Sequence, residues 1–186
     1  MLTPRVNRLK LEMVPKSSEP SDIIVNSIQK IFTAQWNKMG KPTPVYYRNA
    51  PITVPTKREC ITLTISKSSR FFAKLESNDS VERQLGCIIF QIFTPKDAGL
   101  LRANQIVELI SPVFGVQMFT VNSDKSVTTF YNGKIEETVG AEIGGGGDPI
   151  LTILFRPLET YPVGERKNYF QLNALMPFVA DTLEKT

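Results

Sequence analysis

One continuous segment, Gly86–Phe114, constrains the fold more than any other part of the chain. Residues 87–93 (CIIFQIF) are β-branched and aromatic with no internal breaker, which predicts a strand. Residues 94–99 (TPKDAG) have turn chemistry. A helix is predicted to follow, with one apolar side formed by Leu101, Ile106, Leu109 and Ile110. A strand, a turn and an amphipathic helix in direct succession indicate a helix that packs on a sheet.

The rest of the chain extends this pattern. A first helix is capped by Ser21 or Asp22 and runs to about Met39, with Phe32 and Trp36 on its apolar side. Further strands are predicted over residues 59–66, 116–121, 127–131, 134–143, 150–155 and 169–178, with a loop over 161–164. The Asn132-Gly133 pair favours a tight hairpin turn. These elements predict an α+β fold, a mostly antiparallel β-sheet with two α-helices packed on one face.

The chain of 186 residues is long enough for one domain with a real core. We expect an extended basic arm over residues 1–20, a single α+β domain over 21–180 and a polar tail over 181–186. Within the domain, residues 116–147 are expected to form a long β-hairpin insertion. No apolar run reaches membrane-spanning length and the N-terminus lacks a signal-peptide core, so we expect a soluble protein made in the cytoplasm.

Composition argues against most catalytic chemistry. The chain has no histidine, so the commonest general base and the commonest transition-metal ligand are missing. Cys60 and Cys87 lie in strand patterns and are expected to be buried reduced thiols, although a disulfide is possible if their strands are neighbours. Glu136 and Glu137 are adjacent on a strand and point to opposite faces. We therefore expect no catalytic residue, no cofactor and no metal site.

The candidate functional residues are those that could contact a partner. The net charge of +4 is mild, and positive charge is concentrated in the arm at Arg5, Arg8 and Lys10. Such an arm is a solvated or partner-docking tail, or alternatively a phosphate contact. Tyr46 and Tyr47 either face a partner or cover the edge of the core. The hairpin region contributes a larger set of candidates: Phe119, Asp124, Lys125, Phe130 and Tyr131. Phe130 and Tyr131 could equally pack on their own sheet.

The ordered set of elements resembles the phage tail terminator proteins, also called tail-completion or head–tail joining proteins, of long-tailed phages. Three stretches carry the resemblance. The first is the helix from Ile24 to Trp36 with the Asn49–Pro55 connection into the 61–65 strand. The second is GCIIFQIFTPKDAG (86–99) with its helix ending near Phe114. The third is the closing strand YFQLNALMPF (169–178).

The resemblance implies a structural virion protein with no enzymatic activity. Such proteins form a ring, usually a hexamer, on the head-proximal end of the tail tube. The ring ends tube polymerisation and provides the docking surface for the head connector. The implied partners are further copies of the chain, the tail tube protein and a connector or neck protein. DNA only passes through the lumen, and no membrane is involved. The implied location is the tail or neck of a virion assembled in the host cytoplasm.

Two alternatives stay open. The chain could be another neck or tail-tube component of the same virion. It could also be a nucleic-acid-binding module that uses the basic arm for phosphates and Tyr46 and Tyr47 for stacking.

Overall fold

The computed structural model describes residues 20–40, 43–47, 58–74, 80–114, 118–124, 127–131, 134–139, 148–166 and 168–184. The predicted arm, with Arg5, Arg8 and Lys10, lies outside the described residues. So does Lys125. The side chains of Phe130 and Tyr131 are also outside the described part, although their backbone lies in a strand.

The described chain contains two helices and nine strands, which confirms the α+β class. The helices are α1 (Pro20–Lys38) and α2 (Gly99–Phe114). The strands are β1 (Val45–Tyr47), β2 (Cys60–Lys74), β3 (Ser80–Pro95), β4 (Met118–Asn122), β5 (Val127–Tyr131), β6 (Lys134–Val139), β7 (Pro149–Phe155), β8 (Glu159–Glu165) and β9 (Tyr169–Glu184). Neither described helix is long and apolar enough to cross a membrane.

All nine described strands belong to one sheet, in the order β1-β2-β3-β9-β7-β4-β5-β6 with β8 beside β9. The long strand β9 organises it. One edge of β9 pairs with β3 along its whole length. The other edge is shared, since β8 pairs with Phe170–Leu175 and β7 with Phe178–Thr182. The sheet is mixed, because β1 runs parallel to β2 while the other described pairings are antiparallel.

The core lies on the face of the sheet that carries both helices. Alternate residues of β3 and β9 are buried on this face, as period-2 side-chain alternation requires. Phe90 of β3 lies 5.6 Å from the ring of Phe32 in α1 and 6.3 Å from that of Phe114 in α2. Since both helices reach one strand residue, they pack on the same face.

The half of the sheet that contains β7 and β4 packs against the same core. The ring of Phe155 in β7 lies 4.4 Å from Phe114 and 5.4 Å from Phe119 in β4. Phe119 is 1% exposed, so its prediction as a contact residue for partners is wrong. The predicted insertion over 116–147 therefore contains a strand of the main sheet, because β4 pairs with β7 on one edge and with β5 on the other.

Three further details differ from the sequence-based expectations. Residues 161–164 belong to strand β8 and do not form a loop. The polar tail expected from residue 181 instead continues β9 to Glu184. Leu101 was expected on the buried side of α2, yet it is 73% exposed, and Ala103 takes an inward position in its place.

The pairing of β2 with β3 changes register where β2 bulges between Lys67 and Arg70. The side-chain amide of Gln84, which is buried, donates to the carbonyl oxygens of Ser68 and Ser69 at 3.0 and 3.3 Å. These contacts satisfy carbonyls that lie outside the regular ladder. Next to the bulge, Gly86 pairs with Phe178 of β9 and brings the two strands into close contact.

Cys60 and Cys87 are free thiols on neighbouring strands. Cys60 is opposite Phe93 and Cys87 opposite Ser66, so six residues of strand separate them. At about 3.3 Å per residue this is roughly 20 Å, too far for a disulfide. Burial raises the pKa of the Cys60 thiol to about 11, which keeps it protonated at neutral pH.

Candidate assembly surfaces

The start of α2 is fixed by a hydrogen-bonded cluster that connects both helices to the sheet. The guanidinium of Arg102 donates to both carboxylate oxygens of Glu59 at 2.7 Å. Glu59 also accepts a hydrogen bond from the Thr43 hydroxyl, and the Trp36 indole donates to the Thr43 carbonyl oxygen at 2.9 Å. The hydrogen bond from Arg102 is the main reason that the pKa of Glu59 lies below its ordinary value. The cluster therefore holds the end of α1, the start of β2 and the first turn of α2 together.

Two adjacent leucines project from that fixed first turn. Leu100 is 44% exposed and Leu101 is 73% exposed. Exposed polar residues lie close by in the sequence, among them Lys96, Asp97 and Asn104. We call Leu100 and Leu101 the leucine pair. Apolar side chains on a rigid, well-anchored turn are suited to insert into a partner surface.

The face of the sheet opposite the helices carries a larger apolar surface. Strand register places side chains in rows across this face, since paired residues point to the same side. One row crosses four strands, and two shorter rows lie beside it. Together the rows form what we call the apolar belt: Leu85, Val179, Leu154 and Met118, then Cys87 and Pro177, then Ile89 and Leu175. All eight side chains are half-buried, and among the described elements both helices lie on the other face.

Polar groups border the belt on both sides. On one side the next row is Tyr46, Thr62, Gln91, Asn173 and Tyr161. Its two tyrosines are exposed, and the Tyr161 hydroxyl donates to the Glu159 carboxylate. On the other side the next row is Phe71, Arg83, Asp181 and Thr152. Phe71 is 53% exposed, and Arg83 donates two hydrogen bonds of 2.7 Å to Asp181. An apolar centre with a polar, tyrosine-containing rim is the usual anatomy of a protein interface.

The exposed edge strand β8 has features that oppose uncontrolled pairing. Pro162 has no backbone N–H to donate, and the register shifts between Pro162 and Gly164. Glu159 and Glu165 add charge at its two ends, the latter 3.0 Å from Lys96. Proteins use such devices to prevent edge-to-edge aggregation, so β8 is a poor site for strand addition.

A small groove of about 190 Å³ lies between the end of α1 and β1. Its wall includes Trp36 and Tyr47. The hydroxyls of Tyr47 and Thr33 share a hydrogen bond, and Tyr47 packs against the core. Tyr47 therefore covers the edge of the core, which was the alternative expectation for it.

The structure separates residues that the sequence grouped. Tyr46 is exposed on the helix-free face, whereas Tyr47 points to the helix side, so they cannot form one stacking platform. Asp124 is exposed in the turn after β4. Among the described residues, no group of three or more His, Cys, Asp or Glu side chains could hold a metal ion.

Comparisons with known proteins identify no family. No protein-family model and no curated protein sequence matches the chain. One solved structure, whose name says nothing of its function, has a TM-score of 0.55 and 13% identity. The match covers 91% of this chain and 99% of that one. At this identity the likeness concerns the fold alone.

Proposed function

We propose that the chain is a non-enzymatic structural protein that assembles into a closed ring of identical subunits. The observation that carries the proposal is the presence of two different apolar surfaces on opposite sides of the sheet. The leucine pair belongs to the helix layer, and the apolar belt lies on the helix-free face. A ring needs heterologous contacts, in which one surface of a subunit meets a different surface of the next.

Within this proposal, the ring is of the phage tail terminator type. It has six copies, caps the head-proximal end of a tail tube, ends tube polymerisation and offers a docking surface to the head connector. The resemblance of the ordered elements, together with the two apolar surfaces, supports this assignment. The strands β5 and β6 act as a hairpin at the end of the sheet that contacts neighbouring subunits or the tube, through Phe130 and Tyr131. The ring is located in the tail or neck of the virion.

Substitution of the leucine pair tests the subunit contact. Leu101→Glu places a charge where the ring is expected to bury an apolar side chain, so sedimentation velocity should show smaller species. The free energy of unfolding should change by less than about 0.5 kcal/mol, because Leu101 is exposed within one subunit. Ser111→Glu, which adds the same charge at an exposed site near the other end of α2, is the matched control and should leave assembly unchanged. An unaltered particle for Leu101→Glu would refute the contact.

The terminator assignment has its own test. Purified protein is added to polymerising tail-tube subunits of the same virus, and tube lengths are measured by electron microscopy. Capping predicts tubes that stop growing, with extra density at one end. Tubes that grow as long as in the protein's absence would contradict the assignment without affecting the ring itself.

A further inference from the structure

The apolar belt requires a covering layer. Its eight side chains form contiguous rows on a sheet face that the two described helices do not cover. Sheets with an apolar face ordinarily bury it against a second layer of structure. In a ring subunit, that layer can come from an adjacent copy.

A segment of the N-terminal arm has the sequence pattern of such a cover. In residues 8–13 (RLKLEM), apolar and charged side chains alternate strictly. An extended strand would therefore present Leu9, Leu11 and Met13 on one side, about 6.6 Å apart. The same spacing separates Leu175, Pro177 and Val179 along β9 in the belt.

The charges of the arm and of the belt's border are complementary. Residues 1–19 contain four basic side chains and two acidic ones, Arg5, Arg8, Lys10 and Lys16 against Glu12 and Glu19. Glu159, which pairs with the belt residue Leu175 across β8 and β9, is exposed. On the opposite border, Asp181 is already paired with Arg83. The arm thus brings an excess of positive charge to a border with an exposed carboxylate, whose one described hydrogen-bond donor is the neutral Tyr161 hydroxyl.

We propose that residues 8–13 of one copy bind as an extended strand on the apolar belt of the adjacent copy. This inference rests on the proposed ring and assigns the arm of the adjacent copy to the belt, so the leucine pair contacts a different surface of its neighbour. The arm of each subunit then binds one neighbour, and its belt binds the arm of the other neighbour. Such a contact is heterologous, and its repetition around the ring satisfies every arm and every belt.

Disulfide trapping tests the proposal in the full-length protein. Cys87 is itself a belt residue, so Leu11→Cys is treated with copper phenanthroline and run on a denaturing gel without reductant. We expect a ladder of covalently joined copies that disappears when Cys87 is also replaced by Ala. Lys10→Cys is the matched control, because its side chain would point away from the belt, and its yield should be at least about fivefold lower. Burial raises the pKa of the Cys87 thiol, which lowers the fraction of reactive thiolate and slows disulfide formation. Val179→Cys in the Cys87→Ala background therefore provides a second partner for Leu11→Cys.

The possible results distinguish arm exchange between copies, an arm that covers its own subunit, and the absence of a ring. A ladder with either belt cysteine supports the proposal. A disulfide within single chains, identified by intact mass, would overturn it in favour of the arm covering its own subunit. Absence of both disulfides from particles of ring mass would overturn it and leave the proposed ring standing. A monomeric mass of the untreated protein would overturn the ring and the arm exchange together.

Discussion

Gly86 shows how a single residue permits close packing between strands of this sheet. A Cβ at this position would lie 2.2 Å from Cζ of Phe178 and 2.8 Å from the carbonyl oxygen of Ser66. The absence of a side chain lets the buried ring of Phe178 lie directly on the backbone of β3, beside the bulge in β2. The glycine is therefore required for close packing between strands.

Gly86→Ala should reduce the free energy of unfolding by about 1–3 kcal/mol, because the methyl group overlaps both neighbours. Urea titration measures the loss. The same substitution in a Phe178→Leu background should cost less, since a smaller and more flexible side chain relieves one of the two overlaps. A Gly86→Ala protein as stable as the wild type would contradict this packing.

At the scale of elements, the ion pair between Glu59 and Arg102 joins strand β2 to helix α2. It is partly buried and bidentate, which is the geometry in which an ion pair contributes measurably to stability. It also holds the turn that presents the leucine pair.

This pairing gives the stability a predictable pH dependence. The folded-state pKa of Glu59 lies below the ordinary value of 4.5, so the pair stabilises the fold fully above that pH. The contribution is lost as the pH falls through the lower folded-state pKa. Glu59→Gln should cost about 1–2 kcal/mol at pH 7, and the difference from wild type should shrink in acid. Chemical unfolding at pH 7 and near pH 3 checks this. Glu108→Gln, on the exposed side of α2, is the control and should change the free energy of unfolding at pH 7 by less than about 0.5 kcal/mol.

Elements with clear periodicity could be predicted from the sequence, and surfaces could not. The apolar runs of β3 and β7 and the amphipathic α1 follow from local pattern. Strand β8 is obscured by Pro162 and Gly164, which read as loop residues although they protect an edge. Alternation in β4 gives two faces without saying which is buried, and Phe119 lies on the buried face although the sequence predicts it as a partner contact. In α2, the adjacent Leu100 and Leu101 make the apolar side ambiguous.

The apolar belt depends on long-range strand pairing. Leu85 and Met118 come together only because β9 and β7 lie between their strands. Such an arrangement depends on strand order and register, which local sequence does not determine.

At the scale of the whole molecule, the proposed assembly depends on closure of the ring. Two different apolar surfaces on opposite sides of one sheet can produce a ring or an open filament, and the rotation between neighbours decides which. The leucine pair sits on a turn held by the Glu59 cluster, and the belt sits on the paired central strands, so both surfaces are rigid. Rigid surfaces favour a single fixed rotation, and hence a defined copy number.

Native mass spectrometry of the purified full-length protein tests this closure most directly. A closed ring of six copies should appear as one discrete particle of about 125 kDa, six times the 20.9 kDa chain, whose mass does not grow with concentration. A mass of 20.9 kDa at every concentration tested, or an open series of ever larger polymers, would contradict it.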